Sequence, residues 1–329
     1  MGDPAGVGLE LAARVWSDRQ TAPPFFLIGD ASAVARAFER LGAPPPRVFA
    51  VTDAAALAGA PHDALAVLQT PLAIDETPGE PDPANASATI RAIERGVEAV
   101  RAGAASGLVT LPIAKSVLQR SGFAFPGHTE FIAHLTANDP WPHARGPVMM
   151  LAGASLRVAL ATVHTPLAGV SAALSRERIV HVGRIVAEAL RRDFGLTNPR
   201  LVLCGLNPHA GEHGHIGREE LDIINPAGAD LRADGVDISD AQSADTLFHE
   251  AARARYDAAI ALYHDQGLIP IKTLHFWDAV NVTLGLPIIR TSPDHGTGFD
   301  IAGKGIARAD SFRAALALAW EMAQRRTRT

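Results

Sequence analysis

The sequence has one cysteine, two tyrosines and four tryptophans in 329 residues. A single cysteine excludes an internal disulfide, and the place of Cys204 in the apolar run RLVLCG suits a buried small hydrophobe. So few tyrosines and tryptophans argue against a surface that stacks nucleic-acid bases. Long hydrophobic runs are also absent: the apolar stretches reach about 5–8 residues, against the ~20 that cross a bilayer, and no secretory leader is read. Nor is there an excess of one charge. Thirty Lys and Arg stand against 35 Asp and Glu, a net −5 spread along the chain, which excludes the electrostatic footprint of a nucleic-acid or anionic-membrane partner. The basic run Arg325, Arg326, Arg328 reads as a solvated tail. What remains is a cytoplasmic enzyme long enough for two packed subdomains.

Strand-like runs alternate with helical ones. FFLIGD precedes the helical SAVARAFERLG, and ANASATIRAIERGVEAVRAG, with apolar residues three and four apart, leads to the short apolar GLVTLP. SRERIVHVGRIVAEALRRDFG reads as an amphipathic helix opened by Ser175, and RLVLCG, the helical DTLFHEAARARY and DAAIALYH continue the pattern. Such alternation predicts an α/β fold with a mainly parallel sheet and helices on both faces. The stretches around Pro44–Pro46 and Glu76–Pro83 read as loops. A boundary is expected near Pro126–Gly127, with a return near Lys272, giving a first subdomain of 1–126 and 272–329 and a second of 127–271.

His164, His209 and His264 each follow an apolar run: LRVALATVH, RLVLCGLNPH and YDAAIALYHD. Strand ends of an α/β sheet point into the crevice where ligands bind, so residues far apart in the chain can converge there. Three neutral imidazoles suffice to hold one divalent ion with a position left open for substrate. Separations of 45 and 55 residues match no local metal motif, so any convergence must come from the fold. The competing reading is three hydrogen-bonded structural histidines.

Other clusters carry chemistry. GDPAGVG at the start can present backbone N–H groups to an anion, or be a tight turn with no ligand. FPGHTEF places His128 and Thr129 after a Pro-Gly turn at a helix start, suited to a phosphate or carboxylate. NPHAGEHGHIG has too few apolar residues to be a packing element, so binding is the better reading, with His209 nearest the strand end. Lys272, Asn281 and Arg290 follow His264 at intervals of eight or nine residues in segments that read as extended, and as a set suit an anionic substrate. DHGTGFDIAGKGIA suits a loop around a nucleotide, yet no GxGxxG follows a strand, so a Rossmann domain is not supported.

GDPAGVG, FPGHTEF, NPHAGEHGHIGREE, ADTLF, YHDQGLIPIK and VNVTLGLPIIRTSPDHGTGFDIAGKG together resemble the 4-hydroxythreonine-4-phosphate dehydrogenases of pyridoxal 5′-phosphate synthesis, nearly end to end. The glycine turn and HGTGFDIAGKG also resemble, more distantly, the isopropylmalate and isocitrate dehydrogenases. The resemblance implies a two-subdomain α/β/α dehydrogenase, a homodimer, using NAD or NADP and one divalent metal (Zn, Co, Mg or Mn) on a small phosphorylated substrate. It assigns His164, His209 and His264 to the metal and His128, Thr129, Lys272, Asn281 and Arg290 to the substrate. His295, Gly296 and Asp300 go to the nucleotide. The general base stays open between Asp245 and Asp265. The sequence departs from the pattern at Leu9 and Ser243, where the family has proline, and it starts inside the first motif, ahead of which a strand is expected. Rival readings are dehydrogenation of a four-carbon sugar-acid 4-phosphate or an aromatic cis-dihydrodiol, or a metal-dependent hydrolase or lyase without nucleotide.

Overall fold

A computed structural model describes residues 1–327. They fall into two compact units, one of residues 1–139 with 287–320 and one of residues 140–286 with the chain from Glu321. The passages lie beside Pro140 and Pro287, later in the chain than the composition suggested. In chain order the strands are β1 (Leu27–Gly29), β2 (Arg47–Val51), β3 (Ala64–Gln69), β4 (Leu108–Val109), β5 (Val148–Ala152), β6 (Arg157–Leu160), β7 (Arg200–Cys204), β8 (Asp237–Gln242), β9 (Ala258–Ala261), β10 (Val280–Leu284) and β11 (Arg290–Pro293).

In the first unit β1, β3 and β2 form a parallel sheet in that order. β4 pairs in parallel with β11, Arg290 facing Leu108. Asp30 ends β1 and opens the helix Ala31–Arg40, its carboxylate accepting from the N–H groups of Ser32 and Ala33, as a helix N-terminus requires. The apolar face of that helix joins Leu11, Val15, Leu65, Val67, Phe312 and Leu316 in one core.

In the second unit the order is β10-β5-β6-β9-β7-β8. The pairs β10–β5 and β5–β6 are antiparallel, whereas β6, β9, β7 and β8 run parallel. Val158, Leu160, Val202, Cys204, Ala259 and Ala261 share one core with Ile271. The alternating residues Ala159, Leu201, Leu203 and Ile260 are buried too, so both faces of the sheet are covered. Ser175 caps the helix Arg176–Arg192 as expected, its Oγ accepting from Arg178 N–H at 3.2 Å. Burial pushes the Cys204 thiol up to about 12, in keeping with an inert core residue.

Three local expectations are corrected. Lys272 lies in the helix His264–His275, not in an extended segment, although Gly267 and Pro270 within it disfavour a helix. Packing overrides propensity here: a Cβ on Gly267 would stand 2.8 Å from the Leu160 and Val158 side chains, so glycine lets this helix sit down on β6. DTLFHEAARARY is broken into a short 3₁₀ turn, Ala244–Thr246, and a four-residue helix, Glu250–Arg253. Arg326 is not part of a solvated tail: it grips the buried Asp193 carboxylate at 2.7 Å, opposite Arg192. Burial pushes the Asp193 carboxyl up, but the two guanidiniums outweigh it and hold it below its ordinary value. Arg328 lies outside the described residues. Among the described residues no helix is long and apolar enough to cross a membrane.

Candidate functional site

In the second unit the three histidines stand beyond the C-terminal ends of β6, β7 and β9, three neighbouring parallel strands with β9 in the middle. Adjacent strands are about 4.8 Å apart, so the fold brings together loops that are far apart in sequence. The His164 and His264 rings lie with centroids 6.0 Å apart. Nδ1 of His264 is paired with Asp265 Oδ1 at 2.8 Å, which fixes the ring and leaves Nε2 for a ligand. Behind the loops the strand ends are stitched sideways. Thr162 Oγ1 donates to Leu262 O (2.6 Å), Leu262 N–H donates to Gln266 Oε1 (2.7 Å), and Gln266 Nε2 donates to Gly205 O (2.7 Å). The donor set, three imidazoles with one oriented by a carboxylate, fits a divalent ion. Among the described residues no three His, Cys, Asp or Glu side chains close into an ion-holding group.

His209 begins an unusual segment. His209, Ala210, Gly211, Glu212 and His213 have φ of 55°, 52°, 78°, 43° and 56°, a left-handed turn with four non-glycine residues. Left-handed backbone costs about 1–2 kcal/mol per non-glycine residue, so the turn must be held from outside. The holder is Glu220, only 1% exposed. Its Oε1 accepts from the N–H groups of Leu206 (2.8 Å) and Asn207 (2.7 Å), and its Oε2 from Asn207 Nδ2 (2.9 Å). The loop is thus also a packing element, contrary to its composition: a Cβ on Gly211 would stand 2.6 Å from Glu220 Oε2, and one on Gly217 would stand 2.2 Å from Asn207 Nδ2.

Lys272 and Asn281 belong to the same unit. Lys272 Nζ lies 5.6 Å from the Phe276 ring centroid. Asn281, on β10, has its Oδ1 buried with no hydrogen-bond partner, an orphan that a polar ligand would satisfy. Asp245, the other base candidate, accepts from Ser243 Oγ at 2.6 Å and is exposed.

In the first unit Phe123, Phe125 and Phe131 form a triangle with ring centroids 5.0–5.5 Å apart. It fixes the turn that delivers His128 and Thr129 to the first turn of the helix His128–Leu135. A Cβ on Gly127 would stand 3.2 Å from Lys115 Cε and 3.6 Å from both Lys115 Nζ and Glu130 Oε2, so these two groups converge on the helix entrance. Arg290 opens β11 with 3% exposure and donates from Nε (3.1 Å) and Nη2 (2.7 Å) to Thr110 Oγ1. Burial pulls its guanidinium down to about 10, with Glu130 opposing. The His128 ring is held well below its ordinary value, first by burial and then by Arg290, the N-terminal amine and Lys115. Lys115 and Thr110 were not singled out from the sequence. LPIAKSVLQR offers only one lysine before an apolar run, and only pairing of β4 with β11 brings Thr110 to Arg290.

In the same unit, His295 is exposed and paired with Gly296 O through Nδ1 at 2.9 Å, and Asp300 is exposed nearby in the chain. Glu10 accepts from Gly303 N–H and Arg14 donates to Gly305 O, so one helix holds the second half of this glycine-rich loop. GDPAGVG is a close-packing turn. A Cβ on Gly2 would stand 2.6 Å from Pro112 O and one on Gly6 2.8 Å from Thr297 O, and Val7 N–H donates to Thr297 O.

The chain matches the family "Pyridoxal phosphate biosynthetic protein PdxA" over residues 20–319. A 4-hydroxythreonine-4-phosphate dehydrogenase of Caulobacter vibrioides is 55% identical over 326 residues, covering 99% of this chain and 96% of its own. The crystal structure of the Klebsiella pneumoniae 4-hydroxythreonine-4-phosphate dehydrogenase superposes with a TM-score of 0.87 at 36% identity, over 98% of both chains. A terephthalate 1,2-cis-dihydrodiol dehydrogenase of Burkholderia xenovorans gives 0.64 at 30% identity, over 97% of this chain and 95% of its own. Two α/β units, histidines at neighbouring strand ends and end-to-end likeness to dehydrogenases define a dehydrogenase, and the hydrolase or lyase reading falls away. Within that class the chain belongs to the PdxA family of pyridoxal phosphate biosynthesis.

Proposed function

We propose that the protein oxidises 4-phosphohydroxy-L-threonine at C3 with NAD or NADP and decarboxylates the product to 3-amino-2-oxopropyl phosphate. The observation that carries the substrate class is the cationic setting of His128, where Arg290 and Lys115 both disfavour a further positive charge. A phosphate supplies the negative charge that this setting calls for. His128, Thr129, Lys272, Asn281 and Arg290 are assigned to the substrate. Asn281 Oδ1 would accept from its amino or hydroxyl group.

His164, His209 and His264 would hold one divalent ion (Zn, Co, Mg or Mn), which when bound lowers the pKa of a ligating hydroxyl and polarises a ketone. His295, Gly296 and Asp300 are assigned to the nucleotide, the Asp300 carboxylate accepting from ribose hydroxyls. The nucleotide, when bound, would supply the acceptor for the C3 hydride, and a base on this chain takes the hydroxyl proton. Asp245 is the candidate, because Asp265 is already engaged in orienting His264. The product, 2-amino-3-oxo-4-phosphooxybutanoate, is a β-keto acid. Its bond to the carboxylate breaks, CO₂ leaves, the electron pair passes to the ketone oxygen as an enolate, and protonation at C2 then gives 3-amino-2-oxopropyl phosphate.

NADH formation at 340 nm with 4-phosphohydroxy-L-threonine, beside D-erythronate 4-phosphate, with and without EDTA, tests this. Turnover of the first that EDTA abolishes and a divalent ion restores is the expected result, and His209→Ala should lose it. Turnover of the second alone would move the protein to a sugar-acid substrate. Full activity of His209→Ala after EDTA would remove the metal from the reading.

A further inference from the structure

We infer that Glu220 is a positioning residue for His209: it holds in place the left-handed turn that this histidine opens beyond the end of β7. The inference rests on the reading of His209 as a metal ligand. Glu220 is not itself assigned to the ion. It acts through the backbone, and three observations converge on it.

First, the turn His209–His213 keeps five successive residues at positive φ, four of them non-glycine, which no short-range preference of Ala or Glu supports. Second, the two Glu220 oxygens receive the N–H groups of Leu206 and Asn207 and the Asn207 amide, the residues that link β7 to the turn. Glu219 Oε2 accepts the same Asn207 amide at 2.8 Å, and Gly211, at the centre of the turn, backs directly onto Glu220 Oε2. Third, Glu220 opens a π-helical turn, Glu220–Ile224, before the helix Asn225–Ala233. An extra residue of this kind rotates the side chains that precede it, and such turns gather at functional sites. A carboxylate in a REELD string would otherwise be a solvated helix charge, yet this one is buried under the loop.

The outcome is a relay of covalent and hydrogen-bonded geometry, Glu220 to Leu206 and Asn207 to His209, comparable to the outer groups that orient metal ligands and whose loss weakens metal binding about 10–100-fold. The test is Co²⁺ titration by calorimetry, with the visible ligand-field spectrum, on the parent, Glu220→Ala, Glu220→Gln, His209→Ala and the double variant Glu220→Ala/His209→Ala. Glu220→Ala should weaken Co²⁺ binding about 10–100-fold and alter the spectrum. Glu220→Gln, which keeps an acceptor for the two backbone N–H groups, should recover part of the loss. The double variant should bind no more weakly than His209→Ala. Should Glu220→Ala fail to fold, Glu220→Gln against His209→Ala carries the same comparison. A Glu220 variant that melts earlier yet binds Co²⁺ like the parent would overturn the inference, as would losses that multiply in the double variant. If His209→Ala itself binds Co²⁺ as the parent does, the metal assignment fails first and takes this inference with it.

Discussion

His128 shows how the site acts on one side chain. Its ring is held well below its ordinary value by burial and neighbouring cations. Above pH 6.5 it is neutral in folded and unfolded chains alike and contributes no pH dependence. As pH falls below 6.5 the unfolded chain takes up a proton that the folded chain refuses, so stability is lost, up to about 1.4 kcal/mol by pH 5.5. His128→Asn should remove that loss. Denaturant unfolding of parent and variant at pH 7.5 and 5.5 measures it, and equal pH dependence in the two would show that the ring is not shielded. At this scale the sequence drew attention to His128, His164, His209 and His264, because a histidine straight after a turn or an apolar run is conspicuous. It was silent on Glu220, Thr110 and Lys115. Their meaning comes from contacts across 13 to 180 residues, which composition does not carry.

At the scale of elements, the C-terminal ends of β6, β9 and β7 are held together by side chains as well as by the sheet ladder. Gln266 spans two of them with both ends of its amide. Gln266→Leu would leave Leu262 N–H and Gly205 O buried without those partners, at a cost of about 2–5 kcal/mol. It should also weaken Co²⁺ binding, since His209 and His264 follow these strand ends. Urea unfolding and calorimetry together check this; normal stability with normal metal affinity would show that the stitch is dispensable. The strands β6, β7 and β9 and the Ser175-capped helix were legible because their apolar periods and cap are local. The helix carrying Lys272 was not, because Gly267 and Pro270 argue against it and only its fit onto β6 explains it.

Over the whole molecule, the helix that carries His264 and Lys272 leads into an exposed apolar surface. Ile269, Leu274, Phe276 and Trp277 are 64%, 42%, 60% and 51% exposed. Exposed apolar side chains of this kind can serve association, and we propose, in keeping with the homodimer that the sequence resemblance implies, that a second copy of the chain covers them. Light scattering should give twice the chain mass, and Trp277→Asp with Ile269→Asp should shift it toward the monomer. A monomeric parent would refute the proposal.

The division of the chain has a consequence for how the protein is made. All six strands of the second unit lie between residues 148 and 284, so they are in hand once that stretch has left the ribosome. The first unit, although its synthesis begins earlier, must wait: β4 finds its partner β11 only after about 180 further residues, and Phe312 and Leu316 complete its core later still. Loop closure over such a separation is slow. The first unit, begun earliest, therefore completes its sheet and core late, and its unpaired β4 and open core are what a nascent chain exposes to chaperones and proteases.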